Sequence, residues 1–363
     1  MDHPAGLKNV QQDRPIRDEE GLIKNGSSGK KFFPIRRQVQ LALFIATIAT
    51  GLQFHIYVAQ AMRGGEITVP RPEGVEGFLP IGALMAWKNF ILSGEWDPFH
   101  PAAMVILGFA VVLSLAFRKV FCGWFCPIGT LSEWAWRAGA ALGVKHHRLP
   151  GWIDWPLRSV KYALLGFFVY IILQMTPKDI ESFLQSPYYK IADVKMLYFF
   201  THISRITAGV LILLVILSLF FRNFWCRHLC PYGALLGIVA TASPFRVQRN
   251  AETCTGCGGC HRACAFHLPV HVKKEIRTPE CSGCMDCMAA CPEKNTLAFR
   301  AKGFKTRLNP FQMGFLILAS FIAIVYLAKI SGHWKSRLPE HEFRSWMTIS
   351  DFQKIGHPSI PER

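Results

Sequence analysis

The residues of this chain that could do chemistry are its cysteines, and all twelve fall into two repeated patterns. Eight lie between Cys254 and Pro292, in CTGCGGCHRACAFHLPVHVKKEIRTPECSGCMDCMAACP. Each half is spaced C-x2-C-x2-C-x3-C: Cys254, Cys257, Cys260 and Cys264, then Cys281, Cys284, Cys287 and Cys291. The second run repeats the first 27 residues later, an internal duplication. A cubane iron–sulfur cluster needs four thiolates at the corners of a tetrahedron. A tight loop with cysteines three apart supplies three of them, and the fourth must come from elsewhere. Zinc sites favour one or two C-x2-C pairs separated by a long spacer, and a disulfide framework suits a small secreted chain. Neither fits two such runs.

The other four cysteines form a second repeat. Arg118–Glu133 reads RKVFCGWFCPIGTLSE and Arg222–Gly237 reads RNFWCRHLCPYGALLG, so Cys122 and Cys126 match Cys226 and Cys230 at an offset of 104. Cysteines four apart share one face of an α-helix. The proline after each pair removes a backbone donor and should bend or end the helix there. Two such helix ends could meet and present four sulfurs to one metal centre: an iron–sulfur cluster, or a copper or zinc ion. The competing reading is packing, since free cysteine is often simply buried. Packing does not explain why no cysteine occurs outside the two kinds of repeat.

Stepping from these residues to what must position them, the composition points to a membrane. The chain has 363 residues, is 51% hydrophobic and has a mean hydropathy of +0.22. Apolar stretches over about 39–62, 102–119, 160–176, 206–223 and 311–328 predict five membrane helices, several at the short end of the ~17–25 residues a crossing needs. The formal charge of +17 raises nucleic acid as a partner, but no nucleic-acid-binding pattern accompanies it. The basic residues instead flank the apolar stretches. Residues 1–38, 118–161 and 222–307 hold 28 of the 41 Lys and Arg. The positive-inside rule then puts the N-terminus and the eight-cysteine segment in the cytoplasm and the C-terminus outside. A reducing compartment also suits thiolates.

The expected division is a disordered cytoplasmic tail over 1–35 and a membrane domain over 36–245 carrying the two C-x3-C-P repeats. A cluster-binding domain over 246–305, a last membrane helix over 306–330 and an extracytoplasmic tail over 331–363 follow. The first four spans would make two similar hairpins. GFLPIGALMAWKNFIL, within the outer loop 63–101, is too short to span and reads as interfacial or re-entrant. The loop 177–205 is aromatic enough to lie at the interface. The tail is too short for a packed domain. His55, His100 and His202 fall near the outer ends of spans, where hydration is cheap, and could bind haem or bond a quinone. His261, His267 and His271 read as hydrogen-bonding surface residues. Arg262, Lys273, Lys274 and Arg277 could dock an acidic redox partner, or simply form a solvated face.

The eight-cysteine segment resembles bacterial two-cluster ferredoxins, in which the last cysteine of each run ligates the other run's cluster. The resemblance implies one 4Fe–4S cluster on Cys254, Cys257, Cys260 and Cys291, and a second on Cys281, Cys284, Cys287 and Cys264. The proline expected after each fourth cysteine is present as Pro292 but replaced by Ala265 in the first run. The chain as a whole resembles membrane-bound polyferredoxins of the NapH, NosR and CcoG kind. It is nearest the YccM-type electron-transport proteins of bacterial inner membranes, through RPEGVEGFLPIGALM, FCGWFCPIGTLSE, WCRHLCPYGALLG, both cluster runs and the closing IGHPS. This implies a mainly α membrane protein with a small α+β ferredoxin insert before the last helix. Its function would be to relay electrons between the quinone pool and a redox partner.

Two other functions compete with the relay. One is a maturation factor that reduces a metal ion at Cys122, Cys126, Cys226 and Cys230. The other is a cluster-based redox sensor. No Ser/His/Asp set, phosphate loop or dinucleotide fingerprint is present, so the chain reads as an electron-transfer subunit rather than a self-contained enzyme.

Overall fold

The computed structural model describes residues 35–358 apart from 65, 145, 147, 148, 294, 302, 304, 305, 349–354 and 357. Except for Ile35, the polar tail expected over 1–35 lies outside the described residues.

The helices run in chain order as α1 (Ile35–Arg63), α2 (Pro80–Ser93), α3 (Pro101–Phe117), α4 (Pro127–Ala141) and α5 (Gly151–Gln174). Three short helices follow, α6 (Pro177–Gln185), α7 (Pro187–Lys190) and α8 (Ala192–Thr201), then α9 (Arg205–Phe220) and α10 (Pro231–Val239). A three-stranded antiparallel sheet comes next. β1 (Phe245–Arg249) pairs with β2 (Leu297–Ala301), and β2 with β3 (Arg307–Leu308). Between β1 and β2 lie the cluster runs with two one-turn helices, α11 (Gly259–Ala263) and α12 (Asp286–Ala289). α13 (Pro310–Ile330) and α14 (Glu340–Thr348) complete the order. Seven of these helices begin on proline, whose missing N–H costs nothing at a position where the donor has no helical partner. Asn309 and Gln312 add a reciprocal capping box at the start of α13.

Among the described residues three helices, α1, α5 and α13, are long and apolar enough to cross a membrane. The pair α8–α9, bent by 77°, makes a fourth candidate. The difference from five expected spans lies in α3. It ends at Phe117, where Arg118 turns to a positive φ of 67°, and so has only 17 residues. Eleven of those are buried, so α3 runs through the middle of the helical body. The other helices turn apolar side chains outward: Leu41, Ile45, Ile48 and Leu52 on α1, and Phe311, Phe315, Ile322 and Tyr326 on α13. Stripes of this extent match hydrocarbon rather than water.

One end of the helical body carries the cysteines. Arg36 at the start of α1 donates to the Gly123 carbonyl, whereas Phe54, Tyr57 and Val58 near the other end of α1 pack on Ile191, Val194 and Phe343. α5 likewise starts with Asp154 bonded to Arg227 and His228 and finishes with Ile172 packed near Met85 and Tyr189. The loop over 177–205, expected as an interfacial segment, is built from α6, α7 and α8. The tail also gains structure: Phe343 and Met347 of α14 are buried on α1, and Lys190 pairs with Glu342 at 2.7 Å. A segment too short to pack alone docks on a surface provided by others.

The opposite end holds a buried polar cluster. Arg71 pairs with Asp193 at 2.8 Å, Glu76 at 3.0 Å and Glu73 at 3.3 Å. His100, expected in a hydrated position, is fully buried, with Nδ1 3.3 Å from Glu76 and Nε2 2.7 Å from the Tyr189 carbonyl. Burial pushes its imidazole down, but Glu76 more than reverses this and raises it to about 9. Burial pushes the Glu73 carboxyl up to about 7, with Arg71 opposing. His55 and His202 are exposed.

Candidate metal centres

Both C-x3-C-P repeats fold the same way. The Cys126 N–H donates to the Phe121 carbonyl at 2.9 Å and the Cys230 N–H to Trp225 at 3.0 Å, each reaching five residues back. Each repeat is therefore a single π turn, over Phe121–Phe125 and Trp225–Leu229, rather than the α-helical face expected from the spacing. The chain then goes extended at Cys126 and Cys230, and Pro127 and Pro231 start new helices. The chain thus bends just before each proline, which opens the next helix instead of lying within one. Gly129 has no room for a side chain, because a Cβ there would stand 2.4 Å from the Cys122 carbonyl oxygen.

The two π turns meet. Cys122, Cys126, Cys226 and Cys230 line one cavity with Lys119 and Tyr232. As bare thiols they are no nucleophiles, since burial pushes all four up, Cys126 to about 11. The Gly233 N–H donates to Cys230 Sγ at 3.2 Å. Among the described residues no three His, Cys, Asp or Glu side chains converge closely enough to hold a single metal ion. Four thiols on one cavity are the donor set a cubane cluster requires, one for each iron.

In the eight-cysteine segment, Cys260 has Cys254, Cys257 and Cys291 as electrostatic neighbours, and Cys287 has Cys281, Cys284 and Cys264. The fourth cysteine of each run thus stands with the first three of the other. Cys264, Cys281, Cys284 and Cys287 line a cavity walled by Phe266, Leu268, Val270 and Ile276, and the Leu268 N–H donates to Cys264 Sγ at 3.4 Å. Cys257 is exposed on the first set. The duplication extends to the backbone. Gly256 and Gly258 have φ of 72° and 69°, and their counterparts Gly283 and Met285 have 59° and 64°. Met285 accepts a strain of roughly 1 kcal/mol to wind the loop. His261 Nδ1 lies 2.7 Å from the Leu268 carbonyl oxygen, a structural bond within the segment.

The two cavities share Phe266, Ser282 and Cys284 as a common wall. Ala265, which stands where proline was expected, lines the four-thiol cavity. The junction is tightly made. A Cβ on Gly123 would lie 2.8 Å from the Ser282 carbonyl oxygen, and Trp124 Nε1 donates to the Gly283 carbonyl at 3.1 Å. Arg36 bridges Glu133 at 2.6 Å and Asp286 at 2.8 Å. Burial pushes the Glu133 carboxyl up, but the bonds from Arg36 bring it down to about 2. Lys161 donates to both oxygens of Glu280 at 2.7 Å, and Arg118 to the Thr278 carbonyl. In the sequence Arg36, Lys119 and Lys161 count only as topogenic charge. Each stands close to another cation (Arg37, Arg118 and Arg158), and no local signal marks the distant carboxylate it meets.

Cysteines gathered into these sets and joined to apolar helices define an iron–sulfur protein of a membrane. Family comparison agrees: a 4Fe–4S dicluster domain matches residues 246–292, and a 4Fe–4S binding domain matches 99–150 and 206–250, across the two C-x3-C-P repeats. The chain is 42% identical over 330 residues to the electron-transport protein YccM of Escherichia coli (strain K12), covering 89% of this chain and 91% of that one. It belongs to the YccM family of iron–sulfur electron-transport proteins. It is also 24% identical over 279 residues to the ferredoxin-type protein NapH of Haemophilus influenzae, covering 73% and 88% of the two chains. The regulatory protein NosR of Pseudomonas aeruginosa is 30% identical over 216 residues, 58% of this chain but only 29% of NosR. No solved structure matches significantly.

Proposed function

We propose that this protein is a relay with three metal centres in series, carrying electrons between the quinone pool and a redox partner. The observation that carries the reading is the wall of Phe266, Ser282 and Cys284 between the two thiol-lined cavities. In this reading Cys254, Cys257, Cys260 and Cys291 hold an outer 4Fe–4S cluster, and Cys281, Cys284, Cys287 and Cys264 a middle one. Cys122, Cys126, Cys226 and Cys230 hold a third centre inside the helical body, supported by the 4Fe–4S binding-domain match across both repeats. Such clusters supply one-electron transfer at potentials spanning roughly −700 to +450 mV.

The protein's own residues do the rest. Exposed Cys257 brings the outer set to the surface, where a partner can approach. Trp124, Arg36 and Lys161 hold the middle set against the helices. Quinol oxidation releases two electrons and two protons, so one quinol reduces two centres by one electron each. The membrane arrangement that goes with this is five traverses, α1, α3, α5, α8–α9 and α13, in the bacterial inner membrane. The cysteine end and N-terminus face the cytoplasm, and 331–363 faces outward. Residues 36–245 form the membrane domain, 246–305 the ferredoxin and 306–330 the last helix.

The test is rapid mixing of anaerobically purified, oxidised protein with a menaquinol analogue while the cluster absorbance is followed. Fast bleaching is expected. No bleaching, together with full reduction by a low-potential soluble donor, would place electron entry on the cytoplasmic side and overturn the quinol step.

A further inference from the structure

Two cations line the four-thiol cavity, Arg36 and Lys119. Arg36 is matched by Glu133 and Asp286 at hydrogen-bond distance. Lys119 is not. It is 2% exposed, and its Nζ stands 4.0 Å from Glu280 Oε2. Glu280 is already engaged, since Lys161 donates to both its oxygens at 2.7 Å and the Tyr162 hydroxyl donates to Oε1 at 3.0 Å. Lys119, Lys161 and Glu280 together carry two positive charges and one negative, so one cation is in surplus. A lysine at a helix end would ordinarily snorkel to water, and this one does not.

A buried ammonium is costly unless an anion faces it. The thiol-lined cavity is where that anion would stand, because four thiolates around a cubane outweigh the charge of its iron–sulfide core. Lys119 Nζ also lies 5.4 Å from the centroid of Phe266, the ring that walls both cavities.

We propose that Lys119 is the charge-compensating residue of the four-thiol centre and sets its reduction potential. This rests on the reading that those thiols hold an iron–sulfur centre. The reduced centre carries one more negative charge than the oxidised one, so a fixed cation beside it favours reduction. Lys119 is a positioning residue in the electrostatic sense. It holds charge near the centre and takes no part in binding the iron.

The experiment is a dithionite titration of the full-length protein in detergent, followed by electron paramagnetic resonance, with iron per chain measured on every sample. The third-centre signal is the one lost when Cys122, Cys126, Cys226 and Cys230 are replaced by Ser. Lys119→Met should move that signal to lower potential with iron unchanged, and Lys119→Arg should restore it. The outer cluster's potential should not move. Glu280→Gln, which leaves two cations unopposed, should move the signal upward, and it carries the test if Lys119→Met does not accumulate. An unmoved potential, or an equal shift in Lys119→Arg, would overturn the proposal. Unchanged iron in the four-Ser variant would overturn the underlying reading instead.

Discussion

Replacing Arg36 by Met should loosen the ferredoxin segment from the helices. Arg36 reaches three elements at once: the Gly123 carbonyl in the first π turn, Glu133 on α4 and Asp286 on α12. Its side chain is 4% exposed and that of Glu133 8%, so removing the guanidinium strands a buried carboxylate. Breaking such a pair costs about 3–5 kcal/mol. Arg137 remains on Glu133 at 2.8 Å and Gln40 on the Gly123 carbonyl at 3.1 Å, which argues for the low end. A loss of about 3 kcal/mol corresponds to roughly a hundredfold rise in the undocked population. Hydrogen exchange of amides in residues 282–290 reads this directly, as a similar rise in rate. Arg137→Met, whose side chain is 28% exposed, serves as the control and should change exchange by less than about fivefold. A change below threefold for Arg36→Met would refute the clamp.

Two further outcomes test other parts of the structure. The opposite end should lose stability as pH rises. His100 is raised to about 9, so its contribution is complete below its unfolded value near 6.5 and is lost as pH climbs through 9. Glu73, raised to about 7, acts in the same direction between its unfolded value and 7. The melting temperature in detergent should therefore fall between pH 6.5 and 9.5, and His100→Gln should flatten the fall. A rise over that range would contradict the buried cluster of Arg71, Glu73, Glu76 and His100. Gly129→Ala places a Cβ 2.4 Å from the Cys122 carbonyl oxygen, so the first π turn must shift. Iron should be lost from the four-thiol site while both ferredoxin clusters remain, and full iron retention would show that the turn has slack.

The cysteines made most of the site legible. Spacing grouped them into two runs and two pairs, and the resemblance to two-cluster ferredoxins added the exchange of each run's fourth cysteine; together these give the sets that line the two cavities or neighbour one another. Spacing could not reveal the π turns, because a four-residue separation is compatible with α or π geometry until the register of Cys126 N–H to Phe121 is known. The helices were legible where apolar runs are long, as in α1 and α13. α3 is the least legible of the spans, because an apolar run largely buried by protein reads like one buried by lipid. The ion pairs were hidden for a different reason: Arg36–Asp286 and Lys161–Glu280 join residues 250 and 119 apart, and no local pattern carries such a pairing. The docking of α14 was hidden likewise, since its apolar face is defined only by what it meets on α1.

Whether the four C-x3-C-P thiols hold iron decides between a relay of three centres and one of two. Iron per chain, measured on anaerobically purified wild type and on the variant with Cys122, Cys126, Cys226 and Cys230 replaced by Ser, tests it most directly. A third cubane predicts a loss of about four iron atoms per chain, with the signals of the two ferredoxin clusters intact. Equal iron in the two proteins would contradict it.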